Sequence, residues 1–200
     1  MKEKQEQTYL GDVISADGSH TKNVLARKSK GQGVINQITQ ILDSVFFGKY
    51  HFEVALILRS SLLLSSLLLN SEAWVNFSDK DIRSLEQTDE CLLAKILDCD
   101  SNTSNVFRYL ELGIYPIRYE IMKRKLSFLQ YLLKEDKESM IYKVLKATQD
   151  NPLKNDFVLT CKKYMKIVGI EFSFEQIEQM SKASLKKSLK KKQDKQPTNI

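Results

Sequence analysis

The sequence predicts a mainly α-helical protein: a bundle of about six to seven helices with a short β-strand or hairpin at the N-terminus. Apolar residues recur with a period of 3.6 over most of the chain, so they line one side of successive helices. Glycine and proline are scarce, at seven and three of 200 residues, which argues against turn-rich β-sandwiches and low-complexity chains. Hydrophobic residues make up 42% of the chain, enough to build a core.

The N-terminal segment 1–21 is predicted to hold the β element. Residues 8–15 are short and partly β-branched, and Asp17-Gly18 follows as a tight-turn signal. We therefore predict a strand, or one arm of a hairpin, over 8–15. An isolated hairpin is marginal in water, so this element needs something to pack on.

The segment 22–180 carries the helical pattern. A first helix follows Lys22 and stops at Gly48, and a second helix over 50–71 is apolar on most sides, which places it in the core. Ser78 and Asp81 have the spacing of a capping box that opens a third helix. Further helices are predicted at 104–112, from 116 onward, and at 139–149, 157–168 and 173–180. The first helix should bury Val34, Ile35, Ile38, Ile41, Leu42 and Val45.

The net charge of +6 resides in the tail. From residue 182 onward there are seven lysines and one aspartate, whereas the other 24 basic and 24 acidic residues cancel. Blocks of like charge stay solvated and often form interaction tails, so we expect residues 181–200 to be a disordered basic tail.

Catalytic and metal-binding motifs are absent from the sequence. His20 and His51 are 31 residues apart, and the three cysteines do not have metal-ligand spacing. The glycines of Lys30-Gly31-Gln32-Gly33 fall in a helical pattern without phosphate-loop spacing, which favours close helix packing. We therefore predict no catalytic residue, no metal and no cofactor.

The segment 54–69 is the most apolar, but it is shorter than the ~20 residues of a membrane span and contains Arg59. The N-terminus is polar, without the apolar stretch of a signal peptide. The few, odd-numbered cysteines are typical of a reducing compartment. We expect an intracellular protein of the nucleus or cytoplasm, neither secreted nor bound to a membrane.

Basic residues form three clusters that suit a phosphate backbone, because lysine and arginine displace its counterions without reading sequence. The alternative interpretation is solvated helix faces and a solubilising tail. The candidate residues are Arg27, Lys28 and Lys30; Arg118, Lys123, Arg124 and Lys125; and Lys186, Lys187, Lys190, Lys191 and Lys192.

Several motifs together resemble the C-terminal region of reverse transcriptases from non-LTR retrotransposons. The resemblance covers about residues 8–170. Its motifs are Tyr9-Leu10-Gly11-Asp12 with Asn23 and Arg27, Lys30-Gly31-x-Gly33, Asn70-Ser71-Glu72-Ala73-Trp74, Leu85-Glu86-Gln87-x-Asp89, and Tyr109-Leu110-Glu111-Leu112-Gly113 through Pro116-Ile117-Arg118-Tyr119.

The resemblance implies that Tyr9, Leu10 and Gly11 form a palm-exit strand and that residues 22–180 form a thumb and post-thumb domain. Arg27, Lys28 and Lys30 would then lie near the helix that grips RNA or an RNA–DNA duplex by its backbone. Family polymerases hold two Mg²⁺ ions with an Asp-Asp pair in the palm, and no such pair occurs here. We expect a non-catalytic fragment that lacks the palm and the endonuclease.

A second interpretation is a helical protein-interaction module with no nucleic-acid role. Such a module would self-associate through the apolar surface that the missing palm leaves uncovered, because large apolar patches rarely stay bare.

Overall fold

The computed structural model describes residues 6–9, 11–16, 19–75, 78–100, 102–150, 156–167, 171, 173–181, 183–184 and 187. The predicted class is confirmed, because helices dominate and a two-stranded antiparallel sheet lies at the N-terminus. The chain divides into two compact units, one of residues 1–70 with 77–118 and one of residues 71–76 with 119–200. Most of the predicted basic tail lies outside the described residues.

The β element is a hairpin of β1 (Glu6–Tyr9) and β2 (Asp12–Ser15), which pair from Glu6 with Ser15 to Tyr9 with Asp12. The prediction of one strand over 8–15 was wrong, because the chain reverses inside that segment. Gly11 has a φ of +85°, a conformation that only glycine adopts without steric cost, and so allows the reversal there. The predicted turn residues Asp17 and Gly18 lie outside the described residues.

Helix α1 (Thr21–Ser44) buries one face. Only part of the face that the apolar pattern predicted to be buried is in fact buried. Ile35 and Ile38 are buried as expected, whereas Ile41 and Val45 are exposed. Towards the N-terminus the same face includes polar and small residues beside the apolar Val24. The buried residues of α1 are Asn23, Val24, Arg27, Gly31, Ile35 and Ile38.

The predicted second helix consists of a 3₁₀ turn at Gly48–Tyr50, α2 (His51–Leu58), a π-helical turn at Arg59–Leu63 and α3 (Leu64–Leu67). Its placement in the core holds only for the second half. Leu63, Leu64 and Leu67 are buried, whereas Phe52 and Ile57 on α2 are exposed.

Helix α4 (Asp79–Ile96) begins with the predicted capping box. The amide of Asp81 donates to Ser78 Oγ at 3.1 Å, and the amide of Ser78 donates to Asp81 Oδ2 at 3.2 Å. Helix α5 (Asn105–Glu111) follows, and Gly113 (φ +61°) closes it by donating to the Leu110 carbonyl. Helix α1 packs on both α3 and α4.

The second unit contains most of α6 (Ile117–Leu133), together with α7 (Met140–Asp150), α8 (Phe157–Ile167) and α9 (Phe174–Gln179). Its core includes Leu126 and Leu129 of α6 and Met165 of α8. Gln130 donates to the carbonyls of Ile177 and Met180, which anchors α9. Across the residues that the structure describes, each helix is too short or too polar to cross a membrane.

Gly31 confirms the interpretation of close helix packing. A Cβ added there would lie 2.6 Å from Leu67 Cδ2 and 3.2 Å from Thr88 Cγ2. The same interpretation was wrong for Gly33, where an added Cβ would have no neighbour within 4 Å.

We expect Gly31→Ala to lower the free energy of unfolding by about 1–3 kcal/mol, because the added methyl overlaps a fully buried leucine. Gly33→Ala on the same helix is the matched control. It should raise stability by about 0.5–1 kcal/mol, because alanine is the better helix former and meets nothing. Urea denaturation of both variants checks the pair, and equal effects of the two substitutions would contradict the packing.

Candidate nucleic-acid interface

The Asp12 cluster consists of Gly11, Asp12, Asn23, Arg27 and Asn70. Arg27 Nη2 donates to Asp12 Oδ1 at 2.6 Å and to the Gly11 carbonyl at 2.8 Å. Asn23 Nδ2 donates to Asp12 Oδ1 at 3.0 Å, and Asn70 Nδ2 donates to Oδ2 at 2.8 Å. One carboxylate thereby joins the hairpin, α1 and the segment after α3.

The electrostatics of this cluster follow from its donors. Burial alone would raise the pKa of Asp12, but hydrogen bonds from Arg27, Asn70 and Asn23 outweigh it and hold that pKa below its ordinary value. The Arg27 side chain is buried, with the residue 2% exposed. Asp12 therefore neutralises this charge inside the fold, and Arg27 is not accessible to a phosphate backbone.

The α4 cluster consists of three buried carboxylates on one helix, each matched by an arginine. Arg59 holds both oxygens of Asp89 at 2.7 Å, and Arg118 holds both oxygens of Glu86 at 2.7 and 2.9 Å. Bidentate pairing of this kind is the strongest form of carboxylate recognition by arginine. The third pair joins Arg83 Nη1 to Glu90 Oε1 at 2.6 Å.

Asp89 is fully buried, and this burial raises its pKa against the charge and hydrogen bonds of Arg59, which lower it. The Tyr109 hydroxyl lies in the same surroundings, and burial together with the nearby Asp89, Glu90 and Glu86 raises its pKa. Arg118 was a candidate for phosphate contact. The structure pairs it with Glu86 instead, which occupies its planar guanidinium.

Sequence reasoning missed Arg59 and Arg83, which belong to none of the quoted motifs. A signal for Arg59 did exist. It is the one charged residue in the apolar stretch 54–69, and a lone cation on a buried helix face requires an acidic partner. Arg83 carried no comparable signal.

Lys125 is fully buried within the second unit. Its ammonium donates to the carbonyl of Trp74 and lies 5.4 Å from the centre of the Phe157 ring. Burial lowers the pKa of Lys125 to about 8 and raises the pKa of the nearby Cys161 thiol to about 12. Lys125 therefore does not reach the surface.

The other predicted residues differ in their environments. Lys123 pairs with Glu120 at 2.6 Å, and Arg124 is partly exposed. On α1, Lys30 is exposed and Lys28 partly exposed, and neither has an ion-pair partner among the described residues. Lys187 is exposed. Lys186, Lys190, Lys191 and Lys192 lie outside the described residues.

Helix α8 carries a basic stripe that sequence reasoning did not select. Lys162, Lys163 and Lys166 are all exposed and lie at helical spacing on one side of α8. The helical spacing of these lysines can be seen in the sequence. It was missed because they alternate with the apolar residues Cys161 and Met165 that defined the helix.

The chain matches no protein-family model, no curated protein and no solved structure. The likeness to reverse transcriptases therefore rests on its motifs alone.

Between pH 8 and 9 we expect the free energy of unfolding to rise by about 1 kcal/mol. With a pKa of about 8, Lys125 in the folded chain loses its proton across that range, whereas an unfolded lysine keeps its proton up to its ordinary pKa of 10.5, so raising the pH favours folding. Above the ordinary thiol value of 9.0, the unfolded chain ionises its cysteine while folded Cys161 stays neutral. The rise should therefore level off above pH 9.

Urea denaturation across pH 8–10 measures both effects. The difference between the wild type and Lys125→Met isolates the lysine and should keep rising to pH 10, because both chains retain Cys161; the levelling is expected in the wild-type curve itself. Cys161→Ala should remove the levelling and let the rise continue to pH 10. Identical pH dependence of the wild type and Lys125→Met would contradict the assignment.

Proposed function

We propose that this chain is a non-catalytic module derived from the thumb and post-thumb region of a non-LTR retrotransposon reverse transcriptase, and that it binds RNA or an RNA–DNA duplex through backbone contacts. The Asp12 cluster is the observation that carries this proposal. Motif residues from the hairpin, from α1 and from the segment after α3, represented by Asp12, Arg27 and Asn70, converge on one carboxylate. Chance identities scattered along a chain have no reason to meet in this way.

The α4 cluster supports the same argument. Glu86 and Asp89 belong to one motif of the resemblance and Tyr109 and Arg118 to another, and the two motifs meet in this cluster. The motifs therefore behave as parts of one folding unit.

A second observation, in addition to the missing Asp-Asp pair, supports the proposal that the module is non-catalytic. Phosphoryl transfer with two metal ions requires carboxylate oxygens that converge on a shared, open position. Glu86 and Asp89 are buried and have both oxygens engaged by arginine. No group of three metal-ligating side chains converges within the described part of the chain.

The proposed interface is built from the basic residues that the fold leaves accessible. In the first unit these are Lys28 and Lys30 on α1. The tail, of which Lys187 is described and exposed, is a separate candidate. In the second unit, the lysines of the α8 stripe form another accessible basic face. Lysine is a flexible point charge, so such an interface holds phosphates without reading bases.

Fluorescence anisotropy with a labelled RNA–DNA duplex over a salt series tests the interface. Each lost phosphate contact should flatten the slope of log K against log salt by about 0.7–0.9. We expect Lys28→Gln with Lys30→Gln to reduce the slope by about 1.5. A chain with glutamine at the five candidate residues of the tail, Lys186, Lys187, Lys190, Lys191 and Lys192, tests the tail separately.

The matched control is Lys134→Gln with Lys137→Gln, which removes two exposed lysines outside the proposed interface. An equal effect of the two double variants would reduce the binding to net charge and refute the α1 site. Absence of wild-type binding at about 50 mM salt would refute the nucleic-acid proposal.

A second candidate function is a self-associating helical module, and one observation favours it. Large apolar side chains are exposed around the end of α1 and along α2, where a solvated surface would carry polar ones. These residues are Ile41, Val45, Phe46, Tyr50, Phe52, Ile57 and Leu62.

A further inference from the structure

We infer that two copies of this chain associate through the turn between α1 and α2, with Phe46 of each copy seated in a cavity of the other. The inference rests on the second candidate function, self-association, and assigns it a surface. It is independent of nucleic-acid binding.

Phe46 is the projecting part of this contact. At 97% exposed, it is the most exposed large hydrophobic side chain in the described part of the chain. The bend around it is defined, because Val45 is extended (φ −127°, ψ 127°) and Gly48 has a φ of +53°. A Cβ added at Gly48 would lie 3.6 Å from the Phe46 ring, so the ring rests beside a residue without a side chain.

The receiving part lies on the same surface. A cavity of about 310 Å³ is lined by the end of α1 and the turn after it, namely by Leu42, Asp43, Val45, Phe46, Phe47, Gly48 and His51. Leu42, Val45 and Phe47 give it an apolar wall that suits an aromatic ring, beside the polar side chains of Asp43 and His51. Burying a phenylalanine removes about 150–250 Å² of apolar surface from water, the kind of anchor that dominates the stability of interfaces.

The adjacency of the projection and the cavity identifies a second copy as the occupant. In a two-fold symmetric contact the same patch supplies both halves, so each Phe46 enters the cavity of the other copy and both contacts form together. An unrelated partner would have to supply a matching projection of its own. The charges agree with self-association, since exposed Asp43 at the cavity and exposed Lys49 beyond it give each copy one charge of each sign.

Apolar surface beside the cavity widens the contact. Tyr50, Phe52 and Ile57 are 53%, 49% and 63% exposed on the following turn and α2. Several large apolar side chains exposed within one short segment indicate an interaction site, because an ordinary surface carries them singly.

Sedimentation velocity of the full chain, from about 1 μM to about 1 mM, tests the proposal. We expect the wild type to shift from monomer to dimer with concentration. Phe46→Ser should raise the dimer dissociation constant at least about thirtyfold, because the substitution removes both anchors at once. Val45→Trp, which places a large side chain in the cavity, should weaken the dimer in the same way.

Leu110→Ser on α5 is the matched control, since Leu110 is also 62% exposed but lies on another helix. All three substituted side chains are substantially exposed, so circular dichroism should show an unchanged fold. A dimer that tolerates Phe46→Ser or Val45→Trp, or that is weakened equally by Leu110→Ser, would overturn the Phe46 contact and leave self-association standing. A wild type that stays monomeric throughout would overturn both.

Discussion

The hydrogen bonds that converge on the Asp12 carboxylate hold the N-terminal part of this fold together. A two-stranded hairpin is too small to be stable alone, and here β2 packs on α1 while Asn23 and Arg27 bind its first residue. The Val13 amide also donates to Asn23 Oδ1 at 3.2 Å. Asn70 adds a contact 58 residues along the chain, so one side chain fixes the relation of the hairpin, α1 and the end of α3.

In the α4 cluster buried carboxylates have to meet their hydrogen-bond donors, as the carboxylate of the Asp12 cluster does. Buried ion pairs add little net stability, because desolvation offsets their attraction, but removal of one partner is costly. Arg59 and Arg118, which reach α4 from other elements, therefore fix which face of α4 is buried. Arginines that pair with buried carboxylates are not available to a phosphate backbone. The number of basic residues in the sequence therefore overstates how many can contact nucleic acid.

Periodicity and capping predicted the helices well, because those signals depend on neighbouring residues. Ser78 with Asp81 marked the start of α4, and Pro116 preceded a helix whose predicted residues Ile117 and Ile121 are buried. The hairpin turn was misplaced because Gly11 and Asp17-Gly18 are both plausible turn signals, and only the pairing of the strands distinguishes them. The cavity beside Phe46 had no sequence signal, since it depends on the bend between two helices.

The burial of Arg27 and Lys125 could have been predicted from their helical spacing, but sequence reasoning overlooked it. Arg27 lies four residues after Asn23 and four before Gly31, on the buried face of α1, and Lys125 lies midway between Ile121 and Leu129 in the same way. Clustering of charge along the sequence concealed these positions. The most direct test is Arg27→Met, which keeps the length of the side chain and removes its charge. We expect unfolding free energy to fall by about 3 kcal/mol while the salt slope of duplex binding by the folded variant stays unchanged. Unchanged stability with a slope reduced by about one would contradict the account.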